Sequence, residues 1–134
     1  MQNGRMTSRR LVSSGAAWEP VVGYSRAVRV GQWVSVAGTT ASMPEGGAVG
    51  GTDIGEQTRE ALRRILAALA EVGAAAENVV RTRIFVTDIA RWEEVGKAHG
   101  EIFGDIRPAA TMVEVSALIE PELLVEIEAD AIVR

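Results

Sequence analysis

The sequence predicts an α+β fold in which two helices cover one face of a single mixed β-sheet. Two segments have apolar residues at three- and four-residue steps, and segments with alternating apolar residues stand before, between and after them. Their order along the chain is β-β-α-β-α-β-β. The 134 residues, 47% hydrophobic and 24% charged, suffice for one domain with one core.

The first two strands form a predicted hairpin in residues 25–40. Gly31 and Gln32 suit a two-residue type II′ turn, and the apolar residues around them alternate: Ala27, Val28, Val30, Trp33, Val34 and Val36. The glycine-rich segment 43–51 then predicts a surface loop, because it lacks the residue spacing of a phosphate-binding loop.

The first helix is predicted over residues 53–72. Thr52 or Asp53 can cap its start and Gly73 can end it. Its apolar stripe consists of Leu62, Ile65, Leu66, Leu69 and Val72.

The second helix follows Asp88, and its stripe consists of Trp92, Val95, His99, Ile102 and Phe103. We expect His99 to be a packed histidine and not a general base, because no nucleophile stands at a recognisable spacing from it. We expect the three tryptophans to be core or interface residues, and Trp18 is close enough in sequence to Tyr24 for both to wall a cleft.

Three further strands are predicted over 77–88, 111–115 and 124–133. Alternation in the last strand places Glu126, Glu128 and Asp130 on one face. The same rule puts Arg81, Arg83 and Phe85 of the first of these strands on that face. In the short strand it assigns Thr111, Val113 and Val115 to the packed side. The other side of the short strand then carries Ala110, Met112 and Glu114. Two helices cannot cover both sides of this sheet, so this mixed face is either solvated, with weak Arg–Glu pairs, or partly covered by another copy of the chain.

Composition excludes several classes of function. A net charge of −4, with no cluster of Lys or Arg, argues against nucleic acid as a partner, and Arg9 and Arg10 are expected to be solvated. The absence of cysteine and the single histidine argue against a metal site or a thiolate nucleophile. No signal peptide or membrane-spanning run is found, so a cytoplasmic protein without membrane contact is expected.

Several motifs in the right order resemble the Rid proteins, also called the YjgF family: "GYSRAVRVG" (23–31), "VSVAGTT" (34–40), the helix and strand at 57–89, "PAATMVEV" (108–115) and "LVEIEADAIV" (124–133). The resemblance divides the chain into an N-terminal segment, 1–22, and a single RidA-like domain, 23–134. It implies a chorismate-mutase-like fold and a homotrimer whose sheets form a barrel, with ligand clefts between subunits.

The resemblance also implies an activity without cofactor or metal: hydrolysis of reactive enamines and imines to 2-keto acids and ammonia. In active relatives an arginine in a "PARS" motif binds the substrate carboxylate, and that position is Ala110 here. Thr111 matches the serine of that motif, and Met112 follows it. Gly38 and Tyr24 match substrate-binding positions, and Glu126 matches the glutamate that positions the attacking water.

Arg83 is the candidate replacement for the missing arginine. It either binds an anionic group of the ligand or pairs with Glu126 or Glu128 as a structural ion pair. Arg107 is a weaker candidate because it lies in a loop. The function predicted is therefore an imine deaminase for a small metabolite with a carboxylate; the alternative is a trimer that binds a small molecule without turnover. A ribonuclease, a third description used in this family, does not suit the acidic charge.

Overall fold

The computed structural model describes residues 8–134 and contains six strands in one mixed sheet. The strands are β1 (Arg9–Val12), β2 (Ala27–Val30), β3 (Trp33–Thr39), β4 (Val79–Val86), β5 (Ala109–Glu114) and β6 (Val125–Ile132); the helices are α1 (Trp18–Val22), α2 (Ile54–Glu71) and α3 (Trp92–Phe103). The strand order is β1-β2-β3-β6-β4-β5, antiparallel except for the parallel pair β4–β5. Within the described range, no helix is long and apolar enough to cross a membrane.

The seven predicted elements are confirmed, but β1 and α1 were not predicted. β1 pairs antiparallel with β2, so part of the N-terminal segment joins the sheet. Arg10 lies on the helix side of the strand and donates from Nη2 to the Glu71 carbonyl at 3.0 Å. A strand of four residues with one buried side chain, Val12, is too short to give a periodic signal.

α2 follows the prediction closely. Asp53 caps it by accepting a hydrogen bond from the Glu56 amide at 3.1 Å, and Gly73 follows it with a φ of 79°. Leu62, Ile65, Leu69 and Val72 are buried against the sheet, and Leu66 packs at the edge of the same core.

α3 and the hairpin also form as predicted, although Trp33 and Trp92 are 47% and 54% exposed. The hairpin turn consists of Gly31, at a φ of 60°, and Gln32, which does not have a positive φ. A type II′ turn requires a positive φ at its first central residue only, and this turn meets that requirement. His99 is half-buried: its Nε2 lies 2.9 Å from Thr82 Oγ1, its ring packs on Phe103, and burial lowers its pKa. His99 is thus a packed histidine.

β6 separates the two faces of the sheet. Val125, Ile127, Ala129 and Ala131 are buried under the helices. Glu126, Glu128 and Asp130 point to the opposite side, which we call the open face, as predicted. Alternation with Thr82 and Ile84 would place Val80 in the core. In β4 the register shifts between Val79 and Arg81, so Val79 is buried there instead and Val80 is exposed.

The face prediction for β5 was wrong. Ala110 pairs with Thr82 and Met112 pairs with Ile84, and both partners are buried on the helix side. Met112 therefore packs against the core, whereas Thr111 and Val113 lie on the open face. The register of this edge strand is set by its parallel pairing with β4 and not by its own apolar alternation.

Candidate functional site

A cleft of about 960 Å³ opens beside β3 and β6, between the loop that precedes α1 and the side of α2. Trp18 and Tyr24 wall it, as expected, and Gly38 and Glu126 line it. Three of the residues predicted to act on a ligand are thus in one cavity of a single chain: Tyr24, Gly38 and Glu126.

Gly38 and Glu126 are in direct contact across neighbouring strands. The β3–β6 register shifts between Val36 and Thr39, so Gly38 sits in a bulge over the side chain of Glu126. A Cβ at Gly38 would overlap Glu126 Oε2. The absence of a side chain at Gly38 makes room for the carboxylate.

The electrostatic setting of Glu126 favours a carboxyl group that exchanges protons. Burial raises its pKa above the ordinary value, the nearby charge of Glu128 raises it further, and the charge of Arg26 opposes both. No hydrogen-bond partner of the Glu126 carboxylate is found among residues 8–134. It is therefore available to a ligand or a water molecule.

Arg26 is the site residue that sequence analysis missed. Its Nη1 donates to the Gly38 carbonyl at 2.6 Å and to Thr39 Oγ1 at 3.0 Å, and its Nη2 donates to the Tyr24 hydroxyl at 3.3 Å. The guanidinium also lies 5.6 Å from the centre of the Tyr24 ring. Strand alternation could have indicated the face on which Arg26 lies, because Arg26 has the same parity as Val28. Val28 pairs with Ser35 on the open face.

Arg83 lies outside this cleft, on the open face. Its Nη1 is 3.1 Å from Asp130 Oδ2 and 3.5 Å from Glu128 Oε1. Asp130 also accepts a hydrogen bond from Ser35 Oγ at 3.1 Å. Of the two interpretations, the structural ion pair is therefore observed: Glu128 is a partner, as one of the two alternatives predicted, and Asp130, which was not predicted, is the other.

The predicted site residues of β5 do not line the cleft of their own chain. β4 lies between β6 and β5 in the sheet, and this separates Ala110, Thr111 and Met112 from Glu126. Arg107, with a φ of 60°, is exposed in the loop before β5 and also lies outside the cleft. In one chain the predicted site is thus split into a cleft half and an edge-strand half.

No cluster of three or more His, Cys, Asp or Glu side chains able to hold a metal ion is found in the described part of the chain. Among the residues that line the cleft, Glu126, Arg26 and Tyr24 supply a carboxyl group, a guanidinium and a phenol.

The contact between Gly38 and Glu126 gives a direct prediction. Gly38→Ala should displace the carboxylate and lower ligand binding or turnover by about tenfold or more, because a Cβ there occupies its place. Gly100→Ala is the matched control, since a Cβ at Gly100 meets no atom within 4 Å, and it should leave both unchanged. Titration with 2-oxobutanoate, followed by NMR, measures the effect; equal affinities in the two variants would contradict it.

Comparison with known proteins gives consistent matches over nearly the whole chain. The family described as Endoribonuclease L-PSP matches residues 14–133. The crystal structure of Rv2704 from Mycobacterium tuberculosis, described as a member of the YjgF/YER057c/UK114 family, is 61% identical, covers 94% of this chain and 100% of its own, and superposes with a TM-score of 0.86.

Two relatives at lower identity extend the comparison. A RutC family protein of Pyrococcus abyssi is 34% identical over 92% of this chain and 97% of its own length. The human 2-iminobutanoate/2-iminopropanoate deaminase is 29% identical over 92% of this chain and 90% of its own length.

Proposed function

This chain belongs to the Rid (YjgF) family, and from that membership we propose that it hydrolyses imines of small amino acids to 2-keto acids and ammonia. The observation that carries the proposal is the setting of Glu126, whose carboxyl group lies against Gly38 in the cleft. This carboxyl group has a raised pKa and no hydrogen-bond partner among the described residues. The human relative is a 2-iminobutanoate/2-iminopropanoate deaminase, which supports the same class of substrate.

The reaction needs one positioned water and one group that exchanges protons. Ionised Glu126 accepts a proton from the water as its oxygen attacks the carbon of the protonated imine, and the C=N electron pair moves to nitrogen, so that a neutral carbinolamine forms. Glu126 then returns its proton to the nitrogen and the C–N bond breaks as ammonia leaves, while the hydroxyl oxygen forms the C=O bond and gives its proton to the Glu126 carboxylate. The products are the 2-keto acid and ammonia, and no electron acceptor is required.

We also propose that the active assembly is a homotrimer with clefts between subunits. Apolar side chains are exposed on the open face, at Leu11, Val30, Trp33 and Val113, next to the paired charges of Arg83. A second copy of the chain packed on the open face would bury these side chains. It would also allow the exposed Ala110 and Thr111 of one copy, but not Met112, which packs against its own core, to complete the cleft that holds Glu126 of another.

The test is a coupled assay in which an amino-acid oxidase generates imines and semicarbazide competes for them. Wild-type protein should reduce formation of the semicarbazone from imines of small amino acids such as alanine and 2-aminobutanoate. Unchanged semicarbazone formation with every imine, together with stoichiometric binding of the keto acids, would instead identify a binding protein without turnover.

A further inference from the structure

We propose that Arg26 binds the carboxylate of the ligand, in place of the arginine that is absent at Ala110, and that it selects small monocarboxylates. The proposal deepens the function proposed above, since it concerns the same cleft. It assigns the anion-binding role to a residue that immediately precedes β2, with three strands between β2 and the "PAAT" segment of β5, and not to Arg83.

The first argument is the pairing of cations in the cleft. Three arginines line it: Arg26, Arg63 and Arg64. Arg63 and Arg64 both contact Glu60 Oε2, at 2.6 and 2.7 Å. For Arg26, no carboxylate within 4.0 Å is found in residues 8–134. A partly buried guanidinium without an ion-pair contact in the described part of the chain favours an anion as its ligand.

The second argument is the fixed position of the guanidinium. Hydrogen bonds to the Gly38 carbonyl, Thr39 Oγ1 and the Tyr24 hydroxyl use three of its five N–H groups. Two N–H groups remain for a carboxylate, and the Tyr24 hydroxyl, which accepts from Arg26, keeps its own hydrogen to donate. The ligand would meet donors that are already oriented.

The third argument is the relation of Arg26 to Glu126. The charge of Arg26 acts on the pKa of Glu126, and both side chains contact Gly38, one at its carbonyl and the other where its Cβ would be. A carboxylate bound at Arg26 would therefore hold the adjacent 2-carbon of a 2-imino acid close to Glu126. Binding and reaction would share one short stretch of β3.

The acidic residues of the cleft limit the charge of the ligand. Glu126, Glu128 and Glu120 all line it, and Glu120 Oε1 is a buried oxygen without a hydrogen-bond partner among the described residues. A second carboxylate on the ligand would face these groups and be repelled. The cleft should hence accept 2-oxobutanoate and discriminate against 2-oxoglutarate.

The experiment measures binding of stable keto acids by NMR titration, without turnover. Wild type should bind 2-oxobutanoate at least about tenfold more tightly than the uncharged 2-oxobutanamide. Arg26→Gln, which keeps an amide donor for the Gly38 carbonyl, should lose this preference, while Arg83→Gln, the matched change outside the cleft, should retain it. Wild type should also bind 2-oxoglutarate more weakly than 2-oxobutanoate.

Three results would overturn the proposal. Wild type binds neither 2-oxobutanoate nor 2-oxobutanamide, Arg26→Gln keeps the preference for 2-oxobutanoate, or Arg83→Gln loses that preference. If Arg26→Gln does not fold, the comparison moves to Arg26→Lys, which keeps the charge but not the planar pair of donors. This variant should then bind 2-oxobutanoate less tightly than wild type and 2-oxobutanamide equally well, and equal 2-oxobutanoate affinity would oppose the proposal. Because the titration consumes no imine, it can establish the anion site even where the deaminase assay fails. Deaminase activity can likewise be established where the titration contradicts a role for Arg26.

Discussion

Glu126→Gln is expected to reduce kcat/KM for imine hydrolysis by about 100-fold or more, since a positioned acid–base group contributes roughly 10²- to 10⁴-fold. Glutamine has almost the same shape, so it fills the space beside Gly38. Its amide cannot accept the proton of the attacking water. The measurement is the initial rate of imine loss in the semicarbazide assay, for wild type and variant at equal concentrations.

The matched control is Glu128→Gln, which removes a carboxylate from the same face of the same strand. Glu128 pairs with Arg83, so its loss should change the rate far less than the loss of Glu126. Both variants should keep the circular dichroism spectrum of wild type. A Glu126→Gln enzyme with at least half of the wild-type rate would contradict the mechanism, even if the enzyme is a deaminase.

The pH profile gives a second readout of the same residue. Hydrolysis needs ionised Glu126, and burial, with Glu128, raises its pKa. The acidic limb of kcat/KM should therefore lie at higher pH than for an ordinary glutamate, with the rate increasing as pH rises through that limb. Because the charge of Arg26 lowers this pKa, Arg26→Gln should move the limb further upward, and Glu126→Gln should abolish it.

Sequence alone predicts those parts of the fold where one physical signal dominates. α2 has an apolar stripe, a capping aspartate and a terminal glycine, and each has its expected role in the structure. β6 alternates strictly, so the open-face position of Glu126 could be predicted from parity alone. The α+β arrangement follows from these elements and their order, and the Rid fold, which the resemblance of the motifs implied, is confirmed by the comparisons.

The parts that sequence could not predict depend on pairing between strands. The side-chain direction of Met112 is set by its register with Ile84 in the parallel pair, and a stretch of six residues with mixed polarity does not reveal that register. Arg83, within β4, and Arg26, immediately before β2, look alike in the sequence as isolated arginines. Only the neighbouring strands show that Arg83 pairs with Asp130, whereas Arg26 contacts neutral oxygens in the cleft that holds Glu126.

Gln57→Leu should destabilise the protein by about 3 kcal/mol or more, because leaving a buried polar group unpaired costs roughly 1–3 kcal/mol. Gln57 is fully buried in α2. Its Nε2 donates to the carbonyls of Gly51 and Glu122 at 2.6 and 3.0 Å, and its Oε1 accepts from the Leu124 amide at 2.9 Å. Leucine fills the volume but satisfies none of these three backbone groups. Urea unfolding at constant protein concentration measures the loss.

The matched control is Gln32→Leu in the exposed turn of the hairpin, which should change the free energy of unfolding by less than about 0.5 kcal/mol. Gln57→Glu separates the three contacts further, since a carboxylate can accept from the Leu124 amide but cannot donate to the two carbonyls. It should therefore also destabilise the protein. Leu124 immediately precedes β6, so release of its amide would loosen the strand that positions Glu126, and turnover should fall with stability. A Gln57→Leu protein as stable as wild type would show that water or loop rearrangement satisfies all three groups.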